Sequence, residues 1–256
     1  MNNPMLTVHE PNLSSAWAKA FLAASAPGVS ALAPLVVVID LNGGPIKEYP
    51  AVRCEVDAFL KLHSKHSCAE TASTIFPKTL WNPHASRHQL YSRYLNILPR
   101  LKKVPANHYG IYFERLVSYG GTKSNQLEHL ISTYLGGNHR ASALLASVFD
   151  PSRDHTNQKQ RGFPCLHQVT FTPLNAGELG VTGFYATQYL IDRAYGNYLG
   201  LANLGQFVAH EIGRQLTRVT CVASRATIGD FSKEEARPLA EHLQLLISAA
   251  EAEEQS

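Results

Sequence analysis

Among the residues able to do chemistry, Cys165 has the most informative setting. In Gly162-Phe163-Pro164-Cys165-Leu166-His167-Gln168 the thiol falls where a polar loop enters a strand, so that its side chain can face a cleft from a rigid backbone. A thiol of ordinary pKa, about 8.5, is only a few per cent thiolate at neutral pH. A nucleophile here therefore needs positive charge or hydrogen-bond donors, and Arg161 and His167 are near in sequence. Taken alone, a strand cysteine is more often a small hydrophobe.

The twelve histidines raise the question of a metal. His63-x-x-His66-x-Cys68 offers three ligands of two types in six residues, and His84 and His88 are one helical turn apart. No H-E-x-x-H occurs and nothing supplies a fourth ligand, so no metal is assigned. Gly43-Gly44, Gly120-Gly121 and Gly136-Gly137 form neither a dinucleotide fingerprint nor a phosphate loop and read as turns. Cys54, Cys68, Cys165 and Cys221 include no C-x-x-C pair, which fits a reduced, cytoplasmic chain.

The elements that must position these groups follow from periodicity. Leu13–Ala26 reads as a helix stopped by Pro27-Gly28, and Leu35–Leu41 as a buried strand entering the turn Asn42-Gly43-Gly44. The spacing of Val52, Val56, Phe59, Leu60 and His63 predicts a helix over Tyr49–Lys65. Glu70–Lys103, broken by Pro77, Pro83 and Pro99, is expected to hold short helices and loops. Leu127, Leu130, Ile131, Tyr134 and Leu135 form a helical stripe closed by Gly136-Gly137. Strands are expected at Ala141–Phe149, Cys165–Phe171, Leu179–Thr187 and Leu216–Ala223, with Pro151–Gly162 a polar loop. Gly196–Gly213 should be a central buried helix, and Ser232-Lys233-Glu234-Glu235 is a capping box opening a terminal helix with an acidic tail.

Composition bounds the function classes. The 256 residues are 45% hydrophobic and 17% charged, which excludes a disordered chain and allows one large domain spanning 1–256. The net charge is only +3, a weak bias that argues against a dedicated nucleic-acid binder. Lys19 interrupts the apolar stretch Ala16–Ala26, and Leu35–Leu41 is too short to span a bilayer, so neither a signal peptide nor a membrane segment is read.

Several ordered segments resemble thymidylate synthase and the related pyrimidine hydroxymethylases. Asn125-Gln126-Leu127-Glu128-His129-Leu130-Ile131 resembles the family's D-Q-L-x-x-x-I helix, Ser147-Val148-Phe149-Asp150-Pro151 its S-A-W-N-P, and Phe163-Pro164-Cys165 its P-P-C nucleophile motif. Glu55-Val56-Asp57-Ala58-Phe59-Leu60 is similar to E-L-L-W-F-L, Thr74-Ile75-Phe76 to T-I-W, and Tyr109-Gly110 to Y-G. Downstream, Phe184-Tyr185-Ala186-Thr187-Gln188 looks like the Y-R-S strand, Ala194-Tyr195-Gly196-Asn197 the P-x-N segment, and Leu201–Ala209 the following helix. The resemblance covers about residues 50 to 230, leaving a divergent N-terminal part of about 48 residues and a divergent C-terminus from about residue 231.

This resemblance implies an α/β (α+β) fold with one mixed sheet flanked by helices, and a homodimer joined sheet to sheet. It implies that Cys165 adds to C6 of a pyrimidine and turns C5 into a carbon nucleophile that takes a methyl or hydroxymethyl unit. 5,10-methylenetetrahydrofolate would be the donor, with Phe76 and Tyr189 at the folate positions. Asn197 would read the pyrimidine edge, Glu55 would manage protons through water, and Tyr109 would line the pocket beside the cysteine. Thr187 and Gln188 fall on the substrate-binding strand. The bland readings are a first-turn carboxylate for Glu55 and an N-cap for Asn197.

The sequence also departs from that family. Its phosphate-holding arginine is Ala186 here, its H-x-Y sugar pair falls on Thr227 and Gly229, its folate aspartate falls on Tyr189 or Leu190, and its arginine loop has no counterpart. The paired arginines reduce to His139-Arg140. Arg140, Arg153, Arg161, Arg193 and Arg225 are the replacements on offer, since a phosphate needs only a few converging donors. These departures point away from deoxyuridylate itself. They leave two other readings: a relative kept for nucleotide or partner binding without catalysis, and action on a pyrimidine inside a nucleic acid.

Overall fold

A computed structural model of the chain describes residues 2–120, 124–158, 163–175 and 177–254. The fold is α/β, with one six-stranded mixed sheet and helices packed on it. In chain order, β1 (Leu6–Glu10), α1 (Leu13–Ser25) and β2 (Leu35–Asp40) come first, followed by α2 (Pro50–Leu62) and α3 (Cys68–Ile75). Next are α4 (Arg87–Leu101), α5 (Tyr112–Val117) and α6 (Gln126–Gly136), then β3 (Leu145–Ser147) and the single turn α7 (Pro151–Asp154). β4 (Leu166–Pro173), β5 (Glu178–Tyr189), α8 (Tyr195–Glu211), β6 (Gln215–Thr227) and α9 (Lys233–Glu254) complete the chain.

The strand order is β1-β2-β6-β5-β4-β3. β1 and β2 are parallel, as are β5 and β6, and the other pairs are antiparallel. Strands from the first 48 residues thus form one end of the sheet, joined to the rest through β2 against β6. Alternation along each strand puts a fully buried row on one face, for example Val37, Ile39, Val181, Tyr185, Val219 and Cys221. The other face carries half-buried residues, among them Val36, Val38, Thr182, Phe184, Thr220 and Val222.

Helix α8 lies on the buried row because glycines let backbones come close. A Cβ on Gly183 of β5 would stand 2.6 Å from Leu201 of α8, and one on Gly205 would stand 2.8 Å from Leu216 of β6. On another side of α8, Gly196 and Gly200 are one turn apart and meet α3. Added Cβ atoms there would stand 2.7 Å from the Cys68 carbonyl oxygen and 2.9 Å from that of Ala72.

Several elements differ from the sequence expectations for local reasons. β1 has only Val8 fully turned inward, so its five residues give little periodic signal. The stretch Glu70–Lys103 is more helical than its prolines imply. α3 opens on a reciprocal cap between Ser67 and Glu70, and α4 runs fifteen residues through Pro99. Pro99 lies in the last turn, where the carbonyl it cannot bond belongs to the exposed Leu95 and stays open to water. Within Ala141–Phe149 only Leu145–Ser147 pairs as a strand, preceded by a 3₁₀ turn at Ala141–Ala143. β6 continues to Thr227, four residues beyond the expected Ala223.

Candidate functional site

Cys165 precedes β4, and its carbonyl accepts the Ala186 N–H of β5 at 3.1 Å, so the thiol stands at the edge of the sheet where β5 ends. It is partly buried. Burial pushes its pKa up, and the Arg193 guanidinium pulls it back. Arg193 belongs to a π-helical turn, Leu190–Ala194, between β5 and α8. Such turns are rare and recur at functional sites. The indole N–H of the buried Trp17 donates to the Leu190 carbonyl at 2.7 Å and so supports this turn.

The segment before the cysteine is clamped by α5 and the residues leading into it. The Tyr112 ring stacks on Phe163 at 5.2 Å, and its hydroxyl lies by the Cys165 and Leu166 backbone, with burial raising its pKa. The guanidinium of Arg115, 1% exposed, lies 5.3 Å over the same Phe163 ring and donates to Asp154 at 2.8 Å. Gly110, at φ +140°, closes this packing, since a Cβ there would be 2.7 Å from Phe163. Tyr109, the tyrosine expected beside the cysteine, is 43% exposed and packs edge-on to His108. Tyr112, three residues on, lies against the Cys165 backbone.

Asn197 is buried on α8, one turn before Leu201, which rests on β5, so the two share the sheet-facing side. Its amide makes no hydrogen bond with the described residues. Gln188 is the opposite case. Its amide donates to Cys221 Sγ at 3.3 Å and accepts from the Tyr198 hydroxyl at 3.2 Å beneath the sheet. Those bonds use the side chain in the core, which corrects the expectation that Gln188 contacts substrate.

A groove of about 710 Å³ opens at the ends of β5 and β6, lined by Thr187, Tyr189, Arg225, Thr227, Phe231 and Lys233 among others. Thr187 and Arg225 are register partners. Among the described residues no Asp or Glu lines the groove, and Ser30, also in its wall, has a buried hydroxyl with no partner among them. A positively charged, hydroxyl-bearing groove with aromatic walls suits an anionic ligand with a flat body. Tyr189 belongs to the groove and is close enough to Cys165 for the thiol to affect its titration.

Asp192, in the π turn, is 6% exposed. One carboxylate oxygen accepts from Lys65 at 3.2 Å, and Lys65 also reaches Asp230 at 3.2 Å. Its other oxygen, Oδ1, is buried without a partner, against Gly229, where a Cβ would stand only 2.6 Å away. Burial raises the Asp192 pKa and Lys65 opposes that rise. The sequence reading does not single out Asp192, Lys65 or Tyr112, and it offers Arg193 as a phosphate donor rather than as the cation beside Cys165. The only signal was Asp192-Arg193 interrupting an apolar run just ahead of Asn197.

Other expected site residues lie elsewhere. Glu55 of α2 pairs with His242 of α9 at 3.1 Å. Phe76 is 1% exposed within a cluster of Phe113, Phe207 and Trp81, so its ring has no surface for a cofactor. That burial corrects its expected role. Arg140 is exposed ahead of the Ala141–Ala143 turn and does not line the groove. Arg161 lies outside the described residues. Among the described residues no three His, Cys, Asp or Glu side chains gather as metal ligands, and no helix is long and apolar enough to cross a membrane. The chain matches no family model and no curated protein.

Proposed function

We propose that this protein is a thymidylate-synthase-like enzyme that modifies C5 of a pyrimidine nucleotide or nucleoside. The observation that carries this reading is the gathering of Arg193, Tyr112 and Tyr189 around Cys165, with Tyr189 also lining the adjoining groove. In the proposed step the Cys165 thiolate adds to C6. The C5=C6 electron pair moves onto the C4 oxygen as an enolate; C5 then bonds to an electrophilic one-carbon unit as that unit's bond to its carrier breaks, and loss of the C5 proton expels the Cys165 thiolate and restores C5=C6. Arg193 favours the thiolate, the buried Asn197 amide is available to the ring edge, and Arg225 with Thr187 offers donors to a phosphate or sugar.

Tyr189, 39% exposed and in the groove wall, offers an aromatic face to the flat ring of a reduced folate and would hold that cofactor, which supplies the one-carbon unit when bound. The half-buried Val36, Val38, Phe184 and Val222 of the second sheet face support a homodimer joined through that face. The four free cysteines support a reducing, cytoplasmic location.

The pairing of Glu55 with His242 favours a second reading, a binding subunit that has lost catalysis, because it removes the expected proton-handling carboxylate. Incubation with 5-fluoropyrimidine nucleotides and nucleosides, with and without 5,10-methylenetetrahydrofolate, separates the two by intact-protein mass. A covalent adduct absent from Cys165→Ala supports the enzyme. Tight binding with no adduct supports the binding subunit, and neither binding nor adduct overturns both.

A further inference from the structure

Basic residues are unevenly placed in this chain. Residues 71–113 contain six Lys and Arg and no Asp or Glu, while the rest of the chain holds 17 Lys and Arg against 20 Asp and Glu. The weak whole-chain charge therefore averages a strongly basic segment with a mildly acidic remainder. In the fold that segment runs from α3 through the 3₁₀ turn Lys78–Leu80 and α4 to the residues before α5.

Three glutamates form ion pairs with this segment. Glu128 and Glu211 pair with Arg87 at 2.8 and 3.5 Å, and Glu114 pairs with Lys102 at 2.6 Å. Lys78, Arg93, Arg100 and Lys103 are exposed and form no ion pair with the described residues. Three of these four follow the same side of α4 and its end. The helix buries Leu90, Tyr91 and Tyr94. At about 100° per residue, Arg93 and Arg100 are nearly in line, about 110–130° around the helix from those buried residues, with Gln89 and Asn96 alongside and Lys103 just past the end. The Arg93 guanidinium donates to the Leu80 carbonyl at 3.4 Å, which brings the Lys78 turn alongside. From Arg93 to Lys103 the row spans about 15 Å at about 1.5 Å per residue.

We propose that this face binds the phosphate backbone of a nucleic acid. A row of fixed, unpaired cations with amide side chains between them and no carboxylate in the segment complements a line of phosphates. At about 3.4 Å of axis per charge on one strand, about four phosphates fall along 15 Å. The inference does not rest on the chemistry of Cys165, since the row is built from elements other than those that form the groove.

The test is fluorescence anisotropy of the full chain with labelled 20-nucleotide single strands and duplexes over a range of salt. Four neutralised phosphates predict a slope of log K against log salt of about −2.8 for a single strand or about −3.6 for a duplex. Each of Lys78→Ala, Arg93→Ala, Arg100→Ala and Lys103→Ala should reduce that slope by about 0.7 to 0.9. Arg93→Glu/Arg100→Glu/Lys103→Glu should abolish binding with an unchanged melting curve, while Lys61→Ala, on exposed α2 surface, should have no effect. Binding retained by the triple variant, no binding at low salt, or stronger binding to anionic lipid vesicles at equal phosphate would each overturn the proposal.

Discussion

Gly196→Ala should destabilise the protein although alanine is the better helix former. Alanine in place of glycine favours a helix by about 1 kcal/mol. At Gly196, however, the new Cβ would stand 2.5 Å from Thr71 Cβ and 2.7 Å from the Cys68 carbonyl oxygen. Neither is the tip of a flexible side chain, so α8 and α3 must move apart, and overpacking of this kind costs typically about 1–3 kcal/mol. With two unyielding contacts under 3.0 Å the cost falls in the upper part of that range, about 2–3 kcal/mol, so the expected net loss is about 1–2 kcal/mol, or a fall in Tm of about 2–8 °C at about 2–4 °C per kcal/mol for a chain of this size. Gly136→Ala is the matched control. It ends α6 with nothing within 4 Å of its Cβ position, so the same change should be neutral or stabilising. Thermal and urea melts of both variants check the pair. Gly196→Ala at or above wild-type stability would refute the close approach of α8 to α3, and with it the packing that sets Asn197 over the sheet.

Arg193→Met should move the Cys165 thiol further above its usual pKa, because it removes the charge that opposes burial; iodoacetamide alkylation against pH should show a right-shifted profile, and an unmoved profile would contradict the pairing. Trp17→Phe leaves the buried Leu190 carbonyl without its donor and should cost about 1–3 kcal/mol in urea unfolding. Arg87 holds the Glu128 pKa below its usual value by a two-pronged hydrogen bond. A carboxyl lowered in the folded state stabilises above its unfolded pKa and loses that contribution as pH falls through its folded one. The stability gap between the protein and Arg87→Met should therefore be full near neutrality and shrink below about pH 4, as pH-dependent melts would show.

What the sequence made legible was whatever is written in strong local periodicity. The stripe Leu127–Leu135, the run Leu35–Leu41 and the capping box at Ser232 all became elements near their expected bounds. The α/β class followed from such helix and strand patterns, whereas the single mixed sheet came with the family resemblance. β1 was invisible because one inward residue in five makes no pattern, and α4 was hidden because Pro99 reads as a breaker until its turn is known to face water. At the candidate site, Cys165 stands out by its motif, and the resemblance offers Asn197, which is buried on α8. Arg193, Asp192 and Lys65 are brought together only by the π turn and the loop after α2, which leave no spacing rule to read. Phe76 and Gln188 misled for the same reason: an aromatic and an amide in motif-like segments do not reveal which face of their element is buried.

The central claim is that Cys165 adds to a pyrimidine. Incubating the protein in D₂O with uracil and cytosine bases, nucleosides and nucleotides, and following the C5 proton by NMR, tests it without any one-carbon donor. Addition at C6 makes C5 basic, so the account predicts loss of the C5 proton from at least one pyrimidine and retention with Cys165→Ala. Exchange that persists in Cys165→Ala, or no exchange across the panel, would contradict it.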